Sequence, residues 1–75
     1  MRYLPGRCLL RQILKKRRLT QRWLADIVDM PETQISDYIN NRTKMGYATA
    51  ATIAFALGVH AEELYEWEKD DRLGE

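Results

Sequence analysis

The chain has 75 residues, with twelve Lys and Arg, eleven Asp and Glu, one His, one Cys and a formal net charge of +1. That length predicts a single domain with a compact core and excludes a sensing or catalytic domain beside it. No apolar run approaches the roughly 20 residues that span a bilayer. Arg7 and Arg11 interrupt any signal-peptide core, and the lone Cys8 excludes an internal disulfide. A cytoplasmic protein without a membrane partner is expected.

The small net charge hides a gradient. Arg2, Arg7, Arg11, Lys15, Lys16, Arg17, Arg18 and Arg22 stand in the first 25 residues with no acid among them. After Tyr47, Glu62, Glu63, Glu66, Glu68, Asp70, Asp71 and Glu75 face only Lys69 and Arg72. One end suits a polyanion and the other repels it. The alternative is an ordinary solvated surface. Helix-favouring Ala, Leu, Glu, Lys, Arg and Gln are abundant. No strand-like alternation bounded by hairpin turns is evident, so an all-α fold is expected.

A first helix is expected over about Arg7 to Arg17, entered at Pro5-Gly6, with Leu9, Leu10, Ile13 and Leu14 on one face. Thr20 is a plausible N-cap for a second helix, about Gln21 to Val28. Its inner face holds Leu24, Ala25, Ile27 and Val28. Asp29 tolerates a left-handed helix end, and Pro31 suits the first position of the next helix.

That third helix spans about Pro31 to Asn40, with Ile35, Tyr38 and Ile39 inward and Asn40-Asn41 as terminator. The connection between helices 2 and 3 is so short that helix 3 must leave at a steep angle and project. A fourth helix, about Tyr47 to Leu57, is stopped by Gly58. It places Ile53, Phe55, Ala56 and Leu57 largely in the core. A fifth, about Ala61 to Lys69, is capped by His60 and points Leu64 inward. Residues 70–75 are expected to fray.

"LTQRWLADIVDMPETQISDYINNRTK", followed by "TIAFALGVHAEEL", resembles the lambda-repressor-like (Cro/repressor, Xre-type) helix-turn-helix family. The resemblance covers about Leu9 to Leu64. Its most specific marks are "LTQ" at the start of helix 2, the "LA" that follows, Ile35 in helix 3 and "ALGV" closing helix 4. It implies a compact five-helix bundle whose helix 3 enters the DNA major groove. Family members usually carry Gly where Arg18, Asp29 and Asn41 stand here. Many also pair an Arg in helix 1 with a Glu ending helix 3. Those positions are Leu14 and Ile39 here, two apolar residues that can pack together in place of the ion pair.

By position, the resemblance implies that Glu32, Thr33 and Asp37 face base edges, with Gln34 and Ser36 on the same helix as further base contacts. Gln21 would reach a phosphate and brace Glu32. Asn40, Arg42, Thr43 and Lys44 would hold the backbone beyond helix 3, with Arg22 near the helix 2 entrance. Each has a plainer reading. Glu32 suits a helix N-terminus through the dipole, Asp37 can pair with Arg42, and Thr33 can simply be exposed. Gln34 lies to one side of the helical wheel. Trp23 is expected to be covered by Tyr3-Leu4. Tyr65 and Trp67 form either a dimer patch or the floor of the core.

No Cys, His or carboxylate spacing supports a metal site, and Ser36 has no nearby His to activate it. No enzyme activity, cofactor or small-molecule ligand is expected. The resemblance implies a sequence-specific double-stranded DNA-binding regulator, a small phage- or mobile-element-type repressor acting as a homodimer on a pseudo-palindrome. The alternative is a protein-interaction module, antitoxin- or antirepressor-like, that keeps the fold without specific DNA binding. The acids on helix 3 and the small net charge are its support.

Overall fold

The structure is a computed structural model and describes residues 2–70. In chain order the elements are β1 (Arg2–Cys8), α1 (Leu10–Lys16), α2 (Gln21–Val28), α3 (Glu32–Ile39), α4 (Tyr47–Leu57), a 3₁₀ turn (Ala61–Leu64) and β2 (Tyr65–Asp70). The expected all-α five-helix bundle is therefore corrected to four helices and a two-stranded antiparallel sheet joining the two ends of the described chain. Of the residues expected to fray, Asp70 instead stands opposite Arg2 at the end of β2, and 71–75 lie outside the described residues.

The fifth helix is replaced because Tyr65-Glu66-Trp67-Glu68 alternates apolar and charged residues with period two, and Tyr and Trp favour strands. Its partner is β1, with Tyr3 opposite Lys69, Leu4 opposite Glu68, Pro5 opposite Trp67 and Cys8 opposite Tyr65. From Pro5 to Cys8 one strand advances three residues while the other advances two, so β1 carries a bulge. Pro5-Gly6, expected as a helix entrance, is part of that bulge. At Gly6 a Cβ would lie 3.2 Å from the Cβ of Glu66, so a side chain there would require the strands to part by a few tenths of an ångström. Arg7 donates to the Glu66 carboxylate from Nε at 3.3 Å and holds that carboxyl below its ordinary range. This small, exposed contribution is present above the ordinary carboxylate range and lost as pH falls.

Leu10, Leu24, Ile35, Ile53 and Leu64 are fully buried, one each from α1, α2, α3, α4 and the 3₁₀ turn. Around them lie Cys8, Leu14, Ala25, Tyr38, Ile39, Ala54, Leu57 and Tyr65. Leu14 and Ile39 share this core, as their joint apolar character implies. Burial also raises the Cys8 thiol pKa, which keeps the group protonated and inert.

Two apolar expectations fail, for one reason. A helix turns about 100° per residue, and the buried stripe of α2 is set by Leu24 and Ala25. Ile27 falls outside it and is 56% exposed. On α4 the stripe is Ile53, Ala54 and Leu57. Phe55 points almost directly away and is 89% exposed. Trp23 is half-buried against the core itself, whereas Tyr3 and Leu4 are paired into the sheet.

Arg18, Asp29 and Asn41 have φ of 58°, 58° and 61°. These are the three positions where the family resemblance implies glycine. A left-handed conformation costs a non-glycine residue about 1–2 kcal/mol. Arg18 is exposed, so Arg18→Gly is expected to raise stability by about 0.5–1 kcal/mol, net of the unfolded-state entropy that glycine adds. Urea denaturation measures this directly. Asn41→Gly is expected to gain nothing, because the Asn41 Oδ1 accepts the backbone N–H of Cys8 at 2.9 Å and glycine would strand that donor.

Candidate nucleic-acid interface

The interface begins at the start of α2. Thr20 is extended, and its hydroxyl accepts the Trp23 N–H at 3.0 Å, which satisfies one of the free donors of the first turn. At the far end of the helix Asp29 adopts the left-handed conformation and ends it. The Met30 N–H returns to the Ala25 carbonyl at 3.0 Å. Pro31 is the N-cap of α3 rather than its first residue, a small correction, and its carbonyl accepts the N–H groups of Gln34 and Ile35. Asp29, Met30 and Pro31 thus turn the chain between α2 and α3. Ile35, Tyr38 and Ile39 anchor the inner face of α3, and its opposite face is left to solvent.

On that face Glu32 and Thr33 are exposed in the first turn. Among the described residues neither is engaged by a side-chain hydrogen bond. The other three candidates for base contact are half-buried and already engaged. Gln34 donates from Nε2 to the Tyr38 hydroxyl at 2.7 Å. Ser36 accepts from the Asn40 amide at its carbonyl and its Oγ. Asp37 accepts from the Arg42 guanidinium at 3.1 Å, so this acid is neutralised by a residue just past its own helix. The expected brace from Gln21 to Glu32 is not formed, and Gln21 is half-buried at the start of α2.

Of the candidates for phosphate contact, Arg22, Asn40, Arg42, Thr43 and Lys44 are exposed. Lys44 places Nζ 5.6 Å from the Tyr65 ring centre, a cation–π arrangement that tethers the loop after α3. Arg17 donates to the Leu57 carbonyl and so serves the C-terminus of α4.

Arg11 is the residue that the sequence reading passed over. It donates to the Asn40 Oδ1 at 2.9 Å, tying α1 to the end of α3. It also lines two open clefts. One, of about 260 Å³, includes Arg7, Gln12, Asn40 and Asn41. The other, of about 300 Å³, includes Lys15, Thr20 and Gln21. Arg11 therefore links the start of α2 to the end of α3 in one basic band, whose second cleft is also lined by the apolar Leu14, Leu19 and Ile39. The signal available in the sequence was its place one turn before Leu14 on a helix without acids.

The described geometry of two helices, a three-residue turn and a projecting second helix flanked by cations is that of a helix-turn-helix. No helix among the described residues is long and apolar enough to cross a membrane. The sequence pattern of the Cro/C1-type HTH DNA-binding domain matches residues 9–70. The chain is also similar to the SPbeta prophage-derived uncharacterized HTH-type transcriptional regulator YopS of Bacillus subtilis (strain 168). That relative is 38% identical over 64 residues, which cover 83% of this chain and 85% of the relative. With most of its length matched, including every element of the helix-turn-helix, the chain belongs to the Cro/C1-type helix-turn-helix DNA-binding family.

Proposed function

We propose that the protein is a sequence-specific double-stranded DNA-binding transcriptional regulator, a small repressor of phage or mobile-element type. It places α3 in the major groove and binds a pseudo-palindromic site as a homodimer. The observation that carries this reading is the pairing of an exposed α3 N-terminal turn, Glu32 and Thr33, with a flanking basic band centred on Arg11. Cations on phosphates set position and salt dependence, and side chains on base edges set sequence.

Glu32 can accept from cytosine N4, and the Thr33 methyl can meet a thymine methyl. Gln34, Ser36 and Asp37 contribute by exchanging the internal hydrogen bonds they hold. Gln21, Arg22, Asn40, Arg42, Thr43 and Lys44 hold the backbone, and Arg11 joins them. A prophage-derived relative named as a transcriptional regulator supports the regulatory role.

Two substitutions test the division of labour. Arg42→Ala is expected to weaken binding to all duplexes alike and to lower the slope of log K against log salt by about 0.9. Thr33→Ala is expected to change sequence preference and leave that slope unchanged. Salt titrations on a specific and a scrambled duplex measure both. If neither substitution alters DNA association, the α3 reading is wrong. The protein-interaction alternative then gains, with Glu32 as its best support.

A further inference from the structure

We propose that α4 is the two-fold interface of the homodimer, with Phe55 of each copy seated against Tyr47 and the adjoining cleft of the other. This gives the dimeric reading above its surface and rests on that reading for its biological purpose.

Between Lys44 and Glu62 there is no Asp, Glu, Lys or Arg. A helix that is apolar all round is normally buried all round. Yet on α4 Phe55 is 89% exposed and Tyr47 is 86% exposed. These two aromatics and Ala51 follow one another at four-residue spacing and form a single ridge along the helix. Ala51 stands midway between them. An antiparallel two-fold contact centred on Ala51 sets Ala51 on its own copy, where a small side chain lets the backbones approach. The same operation sets Tyr47 against Phe55 of the other copy at both ends. Tyr47 also lines a largely apolar cleft of about 260 Å³ with Met45, Ala50, Tyr65 and Trp67, whose lining also includes one residue of each charge, Lys44 and Glu62. A Phe55 side chain reaching past Tyr47 therefore meets a largely apolar wall.

The symmetry of the Tyr47–Ala51–Phe55 ridge fits a second copy as its occupant, and charge favours this face over the others. A two-fold contact lays a patch against itself, so a patch of one sign repels its copy. The outer side of α1 with the start of α2 carries Arg11, Lys15, Lys16, Arg17, Arg18 and Arg22. On the sheet Glu66 is already paired with Arg7 and β2 also carries Glu68 and Lys69, so that face is charged with both signs rather than apolar, and β1 is blunted by Pro5 and its bulge. The α4 ridge has no such penalty.

The test is sedimentation equilibrium of the whole protein without DNA, on wild type, Tyr47→Glu, Phe55→Lys and an equimolar mixture of the two variants. Both positions are exposed in the single chain, and circular dichroism checks that the variants stay folded. Wild type is expected at the mass of two chains. Each variant is expected to associate at least about 30-fold more weakly, the effect of losing a buried aromatic anchor. The mixture is expected to recover the two-chain mass. In the mixed pair the introduced carboxylate meets the introduced ammonium at one end, while Phe55 meets Tyr47 at the other. A wild type of one-chain mass, or a variant whose fitted dissociation constant equals that of wild type, overturns the interface. A mixture that stays monomeric overturns the antiparallel register. Because DNA is absent, failure here leaves the DNA reading standing, and a failed DNA reading leaves a measured dimer intact.

Discussion

Ile35→Ala is expected to lower the stability of the protein by about 2–5 kcal/mol. Ile35 is fully buried at the centre of the inner face of α3. It joins the helix that presents Glu32 and Thr33 to the core residues of the other elements. Truncation loses the transfer energy of the removed atoms and leaves a cavity. Small domains have stabilities near the lower end of about 5–15 kcal/mol, so much of the population unfolds on mild heating. Ile27→Ala makes the same chemical change one helix earlier at an exposed site, and is expected to shift stability by no more than about 0.5 kcal/mol. Urea denaturation of the two variants side by side checks the contrast. Equal losses would mean that the inward faces of α2 and α3 have been misplaced.

The second large effect concerns Glu32. Glu32→Ala is expected to remove a preference of about 5- to 150-fold at one base pair. Its effect on scrambled DNA has the opposite sign, because removing an acid from a face near phosphates reduces repulsion. Specific binding weakens while non-specific binding strengthens slightly. The free protein loses about 0.3–1 kcal/mol, since Glu32 lies in the first turn of α3 where the helix dipole favours an acid. Competition among duplexes varied one position at a time reads all of this. Unchanged discrimination at every position would return Glu32 to a purely helical role and leave Thr33 as the principal reader.

The helix-turn-helix was legible because its signals are local. Thr20 before an apolar stripe, Asp29 at a left-handed end and Pro31 at the next start all act within a few residues. The three positions where the resemblance implies glycine proved left-handed, because backbone geometry persists after the side chain changes. The sheet was missed because β1 and β2 are joined by the whole helical region rather than by a hairpin turn. The alternation in Tyr65-Glu66-Trp67-Glu68 was present but competed with the helix-favouring acids around it. Phe55 was misplaced because composition marked α4 as buried, whereas the angle about the helix axis decides which residues are. On the interface, the Asp37–Arg42 pair could be anticipated from sequence proximity. The Arg11–Asn40 contact could not, since it depends on how α1 lies against the end of α3.

The most direct test is selection of bound duplexes from a random DNA pool by the purified protein, followed by sequencing. An enriched pseudo-palindrome is expected, with half-sites about 10 base pairs apart, or a multiple of that, as two copies of α3 in successive major grooves require. A pool that stays random at low salt would contradict sequence-specific recognition by α3.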